Sequence, residues 1–317
     1  MAVVIYTAVA AVIITAVKGE RMKQLGMKKQ EHIENVLFTL PSVILVSITI
    51  YIPFVLSAYY SLTKWNGISK EPVFIGFGNF VNIFTNAGSN FLNSIIFTTK
   101  YTLLFMVVAN IVALALAVAL TQKFRLANLM RGVFFVPYIM SMTIVGFIWK
   151  FIFSQGFAKL FEMTNWDALN LSWLGNPNLA FYSVAFVGIW QSIGFYIVLY
   201  IAGLQAIPRD ILEAATVDGA SGFKCFFSIV IPMLWPSITT CMFMSLTNSL
   251  KVFDIILALT SGGPGKATTS VTLEIYREAF QNNNYGLGSA ESIIYFIFVL
   301  LLTQLVLKGF SKKDVGL

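Results

Sequence analysis

The residues best placed to do chemistry lie in one stretch, EAATVDGASGFKCFFSIVIP, from Glu213 to Pro232. Pro208 sits where a helix can start, because a first-turn proline forfeits no hydrogen bond, and Asp210 complements the positive helix end. Ile211, Ala214 and Ala215 share one face at i, i+3, i+4 spacing, and alanine on that face lets another surface approach closely. Glu213 adds a carboxylate to the same short helix. Asp218-Gly219 is a turn signal that stops it, and Ser221 can cap a second helix running from Gly222 toward Pro232. Such an elbow suits a charge-bearing knob that docks in a partner's groove. A plain connector between two apolar segments is the competing reading.

Bond-making chemistry has no comparable set of residues. The sequence contains neither GxxxxGKS nor GxxxxGKT to cradle phosphate, and neither HExxH nor GxSxG. It cannot split ATP by the usual phosphate-loop route, so any ATP-driven work must draw on another subunit. His32 is the single histidine, which argues against a metal site of the His/Cys type.

The elements that must position the Glu213 stretch are written for lipid. Of 317 residues, 57% are hydrophobic and 11% charged, and the mean hydropathy is +0.79; soluble domains carry about 25% charge. Runs long enough to cross a bilayer, roughly 17 to 25 residues, fall at about 37–60, 98–120, 132–153, 180–205, 226–249 and 289–308. The expectation is an all-α, polytopic membrane protein with a six-helix core over 35–317 and a separate N-terminal part, 1–34. No internal repeat or low-complexity segment is evident.

Basic residues set the orientation. Lys18, Arg21, Lys23, Lys28 and Lys29, then Lys123, Arg125 and Arg131, then Arg209 and Lys224, and finally Lys308, Lys312 and Lys313 crowd the short loops on one side. That side is the cytoplasm, and both ends of the core lie on it, including the C-terminus and the Glu213 elbow. The net charge of +7 is thus a topology signal. A nucleic-acid surface would need a basic patch interleaved with aromatics, and the basic residues are scattered instead. Cys225 on the inner side and Cys241 within a span cannot staple an outer loop. The run Ala2–Val17 is just short of a span and has no basic residue before it, unlike a signal peptide. A seventh, N-terminal transmembrane helix with its start outside is the favoured reading, and a misassigned start or a segment lying on the membrane surface are the alternatives.

Glu213-Ala214-Ala215, three residues, Gly219, nine residues, then Ile229-Val230-Ile231-Pro232 resembles the EAA motif of ABC importer permeases, with Ile231 standing where that family has leucine. The resemblance implies that about 208–222 is a coupling helix. Glu213, Ala214, Ala215, Asp218 and Gly219 would then enter a cleft on an ATPase subunit, the glutamate pairing with a basic residue there. FDIILALTSGGPGKATTSVTLEIYREAF, Phe253 to Phe280, is similar to carbohydrate-uptake permeases of the maltose-transporter first-subunit type. So are WNG at Trp65–Gly67, FIGFGNF at Phe74–Phe80, FVPYIMS at Phe135–Ser141 and IAGLQAIP at Ile201–Pro208. The resemblance covers about residues 35–315.

That resemblance implies a bacterial plasma-membrane, multi-pass subunit that is not itself an enzyme and holds no cofactor. Its partners would be a second permease in a heterodimer, two ATPase subunits that bind ATP and magnesium, and an extracytoplasmic binding protein delivering a sugar or oligosaccharide. Transport would proceed by alternating access around a site near mid-membrane. Sugars want aromatic faces and polar groups, and lipid wants neither, so polar residues deep in a span are informative. Trp190, Gln191, Ser192 and Phe195 offer these on one span, and Ser245, Asn248 and Ser249 on another. Aligned through the EAA motif, the family's sugar-contacting positions fall on Ser192, Phe195, Ser245, Asn248 and Ser249. Interhelical glue, with Trp190 as an interface anchor, is the alternative for these residues. The turn Gly262-Gly263-Pro264 lies outside, either near the arriving sugar or as an ordinary reversing loop. Lys251 and Asp254 read as a gate or as an i, i+3 pair. The rival function, an ion-coupled secondary sugar transporter, calls for carboxylates inside spans, and Asp254 near an outer end is the one the sequence suggests.

Overall fold

The computed structural model describes residues 27–86, 89–122, 125–220 and 222–314. The segment Ala2–Val17 and the cap residue Ser221 lie outside the described residues. Helix α1, Met27–Val46, continues through a π-helical turn at Ser47–Tyr51 into α2, Ile52–Tyr60. Together they form an apolar rod, of which Ile33–Tyr60 is long enough to cross a membrane, and its most apolar window has no buried residue. A small antiparallel hairpin follows, β1 Thr63–Lys64 against β2 Val73–Phe74, with Thr63 opposite Phe74. Helix α3, Gly78–Thr85, is tied to that hairpin by Asn79, whose amide donates to the carbonyls of Ser61 and Thr63, each at 2.8 Å.

The core is α4, Phe91–Thr121, packed along α8, Pro177–Ala206. Pro177 occupies the first helical position of α8, and Asn176 accepts from the amides of Asn178 and Leu179 at 2.9 and 3.3 Å, so the helix starts with its free donors satisfied. Ala109, Ala113 and Ala117 lie fully buried on α4, an i, i+4 stripe of small side chains that lets neighbouring helices close in. On the same helix Phe97, Tyr101 and Phe105 stack in series, and they meet α8 through Phe97 on Phe181 and Phe105 on Tyr196.

The third and fifth expected spans are not continuous. The run read as 132–153 divides into α5, Ala127–Ile139, and α6, Met142–Phe151, which continues through a π-helical turn into α7, Phe157–Thr164. The uninterrupted membrane-length stretch is Met142–Thr164. Pro137 inside α5 cannot donate to the helix ladder, and Met140 and Ser141 turn extended. The run read as 226–249 is likewise broken. α10, Gly222–Cys225, a π-helical turn and α11, Ile231–Met233, meet α12, Trp235–Leu250, at a bend of 69°. Pro232 and Pro236 flank that bend. Between α8 and α10 lies the short helix α9, Arg209–Val217. Past α12 come α13, Asp254–Leu259, and α14, Val271–Tyr276; α15, Tyr285–Asp314, returns antiparallel to α12. Tyr295 donates to the carbonyl of Leu250 at 2.5 Å and Trp235 to that of Phe310 at 3.2 Å, which pins the two ends of that pair. The expected spans at 37–60, 98–120, 180–205 and 289–308 appear as single rods, and the architecture is all-α apart from the small hairpin.

Candidate functional site

Helix α9 stands where the Glu213 stretch places it. Pro208 occupies the N-cap position and not the first turn, and Asp210 lies in the first turn. The end is a Schellman motif. Gly219 adopts φ +80°, the amide of Ala220 donates to Ala215 at 2.9 Å and that of Gly219 to Thr216 at 3.1 Å. A side chain on residue 219 would be strained by the backbone alone. Only Ala215 on α9 is buried; Glu213, Ala214 and Ile211 are exposed in the isolated chain. The expected shared face of Ile211, Ala214 and Ala215 is therefore split, because Ala215 alone turns inward. Two apolar residues that the motif does not mark, Val217 and Phe223, are 88% and 84% exposed beside it.

The polar residues expected deep in the membrane separate by role. Gln191 is buried and donates to the carbonyl of Met140 at 3.1 Å, so it satisfies a backbone group freed by the break between α5 and α6. Ser192, also buried, donates to the Gln191 side chain at 3.4 Å. Ser245 is fully buried and accepts from Asn110 of α4 at 2.9 Å, while Asn110 also accepts from the hydroxyl of Tyr200 at 2.7 Å. Ser249 bonds back to the carbonyl of Leu246 at 3.0 Å. Phe195 is half-buried, stacked on Tyr138 at 5.0 Å and edge-on to Tyr196 at 5.6 Å. Asn248 is exposed on α12 and is the polar neighbour of the Tyr196 hydroxyl. The geometry thus brings Phe195, Tyr138, Tyr196 and Asn248 into one aromatic and polar patch between α5, α8 and α12. It turns Gln191, Ser245 and Ser249 into the packing. A separate groove of about 670 Å³ between α4, α5 and α8 is lined mainly by apolar side chains, among them Leu104, Val112, Phe134, Pro137 and Ile193, with Tyr182 and Trp190 beside them.

Lys251 and Asp254 form no ion pair; Lys251 closes the end of α12 and Asp254 opens α13. The Gly262-Gly263-Pro264 turn is internally braced. Thr268 donates to Gly263 at 2.5 Å, Thr269 to Gly262 at 3.1 Å, and Arg277 reaches the carbonyl of Ser261. Two buried glutamates went unmarked by sequence reasoning, Glu274 on α14 and Glu291 on α15. The signal for Glu291 was present, since a carboxylate inside an apolar segment is costly and informative.

Residues 109–313 match the family model described as "Binding-protein-dependent transport system inner membrane component". The chain is 38% identical over 279 residues, 88% of its own length and 94% of the relative, to the probable starch degradation products transport system permease protein AmyD of Thermoanaerobacterium thermosulfurigenes. It is 36% identical, with 88% of its length matching 95% of the relative, to the multiple sugar-binding transport system permease protein MsmF of Streptococcus mutans. A crystal structure of a bacterial ABC transporter involved in import of the acidic polysaccharide alginate superimposes with a TM-score of 0.74 at 22% identity, over 87% of this chain and 94% of that one.

Proposed function

The chain belongs to the family of inner membrane components of binding-protein-dependent transport systems, and from that premise we propose that it is a permease subunit of an ABC importer for a sugar or oligosaccharide. The observation that carries the reading is α9. It is a capped, exposed helix bearing Glu213 and flanked by uncovered Val217 and Phe223, held at the end of the most buried span, α8. A helix so rigidly stopped and so little covered is suited to insertion into an ATPase cleft, where Glu213 meets a cation. Names of relatives that transport starch degradation products or multiple sugars support the substrate class.

The proposed assembly pairs this chain with a second permease and sets two ATPase subunits, which hold ATP and magnesium, against the α9 side. An extracytoplasmic binding protein docks on the opposite face, so the C-terminus is cytoplasmic. Closure of the ATPase pair pushes on α9, and the breaks at Met140–Ser141 and at Leu234 let half-helices tilt without unwinding whole spans. ATP and the loaded binding protein must each prefer the outward-facing arrangement, because a ligand that binds both states equally shifts neither. Phe195 and Asn248 are the residues proposed to meet sugar, with Tyr138 and Tyr196 completing the aromatic wall. Gln191, Ser192, Ser245 and Ser249 support that site from behind.

The test is reconstitution of the full complex in liposomes with ATP inside and sugar-loaded binding protein outside. Uptake should require both. Uptake driven by an ion gradient without ATP would overturn the reading in favour of a secondary transporter.

A further inference from the structure

On the face away from α9, a cavity of about 240 Å³ is walled by α3, the segment before α4, α14 and the start of α15. Its side chains include three carboxylates, Glu274, Glu278 and Glu291, and a ring of asparagines. Glu278 is satisfied within the wall: Asn282 donates to one oxygen at 2.7 Å and Asn284 to the other at 3.2 Å. Glu274, 3% exposed, accepts from Asn90 at 3.4 Å and has Lys266 at 3.9 Å, a half-exposed lysine at the edge. Glu291 is 2% exposed, and its Oε2 has no hydrogen-bond partner. A buried carboxyl oxygen without a partner is costly, and the one cation beside these three acidic side chains is a loosely held lysine. The cavity therefore lacks positive charge with N–H donors.

We propose that this cavity receives an arginine side chain from the extracytoplasmic binding protein, with Glu291 and Glu274 as its anchors. This rests on the importer reading above, which places that face outside. The geometry favours guanidinium over a metal ion. Among the described residues no three acidic, histidine or cysteine side chains converge closely enough to hold a metal, whereas a planar fork with five N–H donors can span separated carboxylates. The volume accommodates such a head group and part of its stem. Because α15 packs on α12 and α14 beside the site, an arginine lodged there would also fix the outer ends of these helices relative to one another.

The direct test uses methylguanidinium on the purified complete transporter. At millimolar concentration it should raise the melting temperature of the wild type more than methylammonium or calcium does, and leave Glu291→Gln unmoved. Equal shifts in wild type and variant, or stabilisation by calcium in its place, would overturn the assignment. The docking arm titrates the binding protein against sugar-stimulated ATP hydrolysis. Glu291→Gln should raise the half-saturating concentration by about thirtyfold or more, as loss of a buried charge partner does, with the maximal rate kept. One arginine substitution on the binding protein should match that loss and add nothing to it. Glu291→Lys fills the cavity with its own cation, so it should assemble and resist heat yet dock poorly. An unchanged half-saturating concentration in both variants sinks the proposal while leaving sugar import intact; failure of ATP-driven uptake in the wild type would instead count against the importer reading.

Discussion

Glu213 carries its charge on an exposed face of α9, and no cation among the described residues pairs with it, so its value lies in what docks there. If an ATPase cation meets it, Glu213→Ala strands that charge at a loss of about 2–5 kcal/mol in a desolvated contact. Sugar-stimulated ATP hydrolysis and uptake should then fall severely while sugar loading of the binding protein is unchanged, a pair of assays that separates coupling from recognition. Gly219 is needed for a different reason. Its φ of +80° penalises a β-branched side chain by about 1–3 kcal/mol, so Gly219→Val should unseat the end of α9 and give the same phenotype without removing a charge. At the sugar patch, Asn248→Ala and Phe195→Ala should lower transport with assembly and basal hydrolysis retained. Wild-type uptake in both would remove that patch from the pathway.

Among elements, the joint between α4, α8 and α12 rests on Asn110, which serves Tyr200 and Ser245 at once from the middle of the apolar core. Asn110→Leu removes the oxygen that accepts from the buried Tyr200 hydroxyl and leaves it only the Cys241 sulfur as a weak partner, which should cost about 1–3 kcal/mol and lower the melting temperature of the complex. Adding Tyr200→Phe should restore part of the loss, because removing both partners is nearly neutral; an additive double variant would show that the bond carries no coupling. The broken helix α5–α6 depends on a close approach to α8. A Cβ at Gly194 would collide with the carbonyl oxygen of Phe134, so Gly194→Val should force the two apart at about 1–3 kcal/mol and release the Gln191 bond that covers Met140.

For the whole molecule, the uncovered surface argues for assembly. The rod Ile33–Tyr60 buries none of its apolar window within the chain, and Val217 and Phe223 stand bare beside α9. This chain purified without its partners should therefore aggregate or fail to transport. In the complete complex, Val217→Cys should crosslink to a cysteine in the ATPase cleft and resist labelling from outside the cell; external labelling would move α9 to the wrong side. Much of this was legible in sequence. Hydropathy over a whole segment reports lipid directly, and a spaced motif whose glycine must take positive φ reports a helix and its stop, so the membrane class, four intact spans and α9 followed from residues alone. The breaks at Met140–Ser141 and Leu234 did not, although Pro137, Pro232 and Pro236 mark them, because a window average counts apolar side chains and ignores where the backbone ladder fails. Whether Gln191, Ser245 and Asn248 face a cavity or a neighbour depended on partners up to 135 residues away. Glu291 could have been marked from the sequence as a carboxylate in an apolar segment, but that it shares one cavity with Glu274 and Glu278 could not, since what surrounds a side chain in space is supplied only by the tertiary structure.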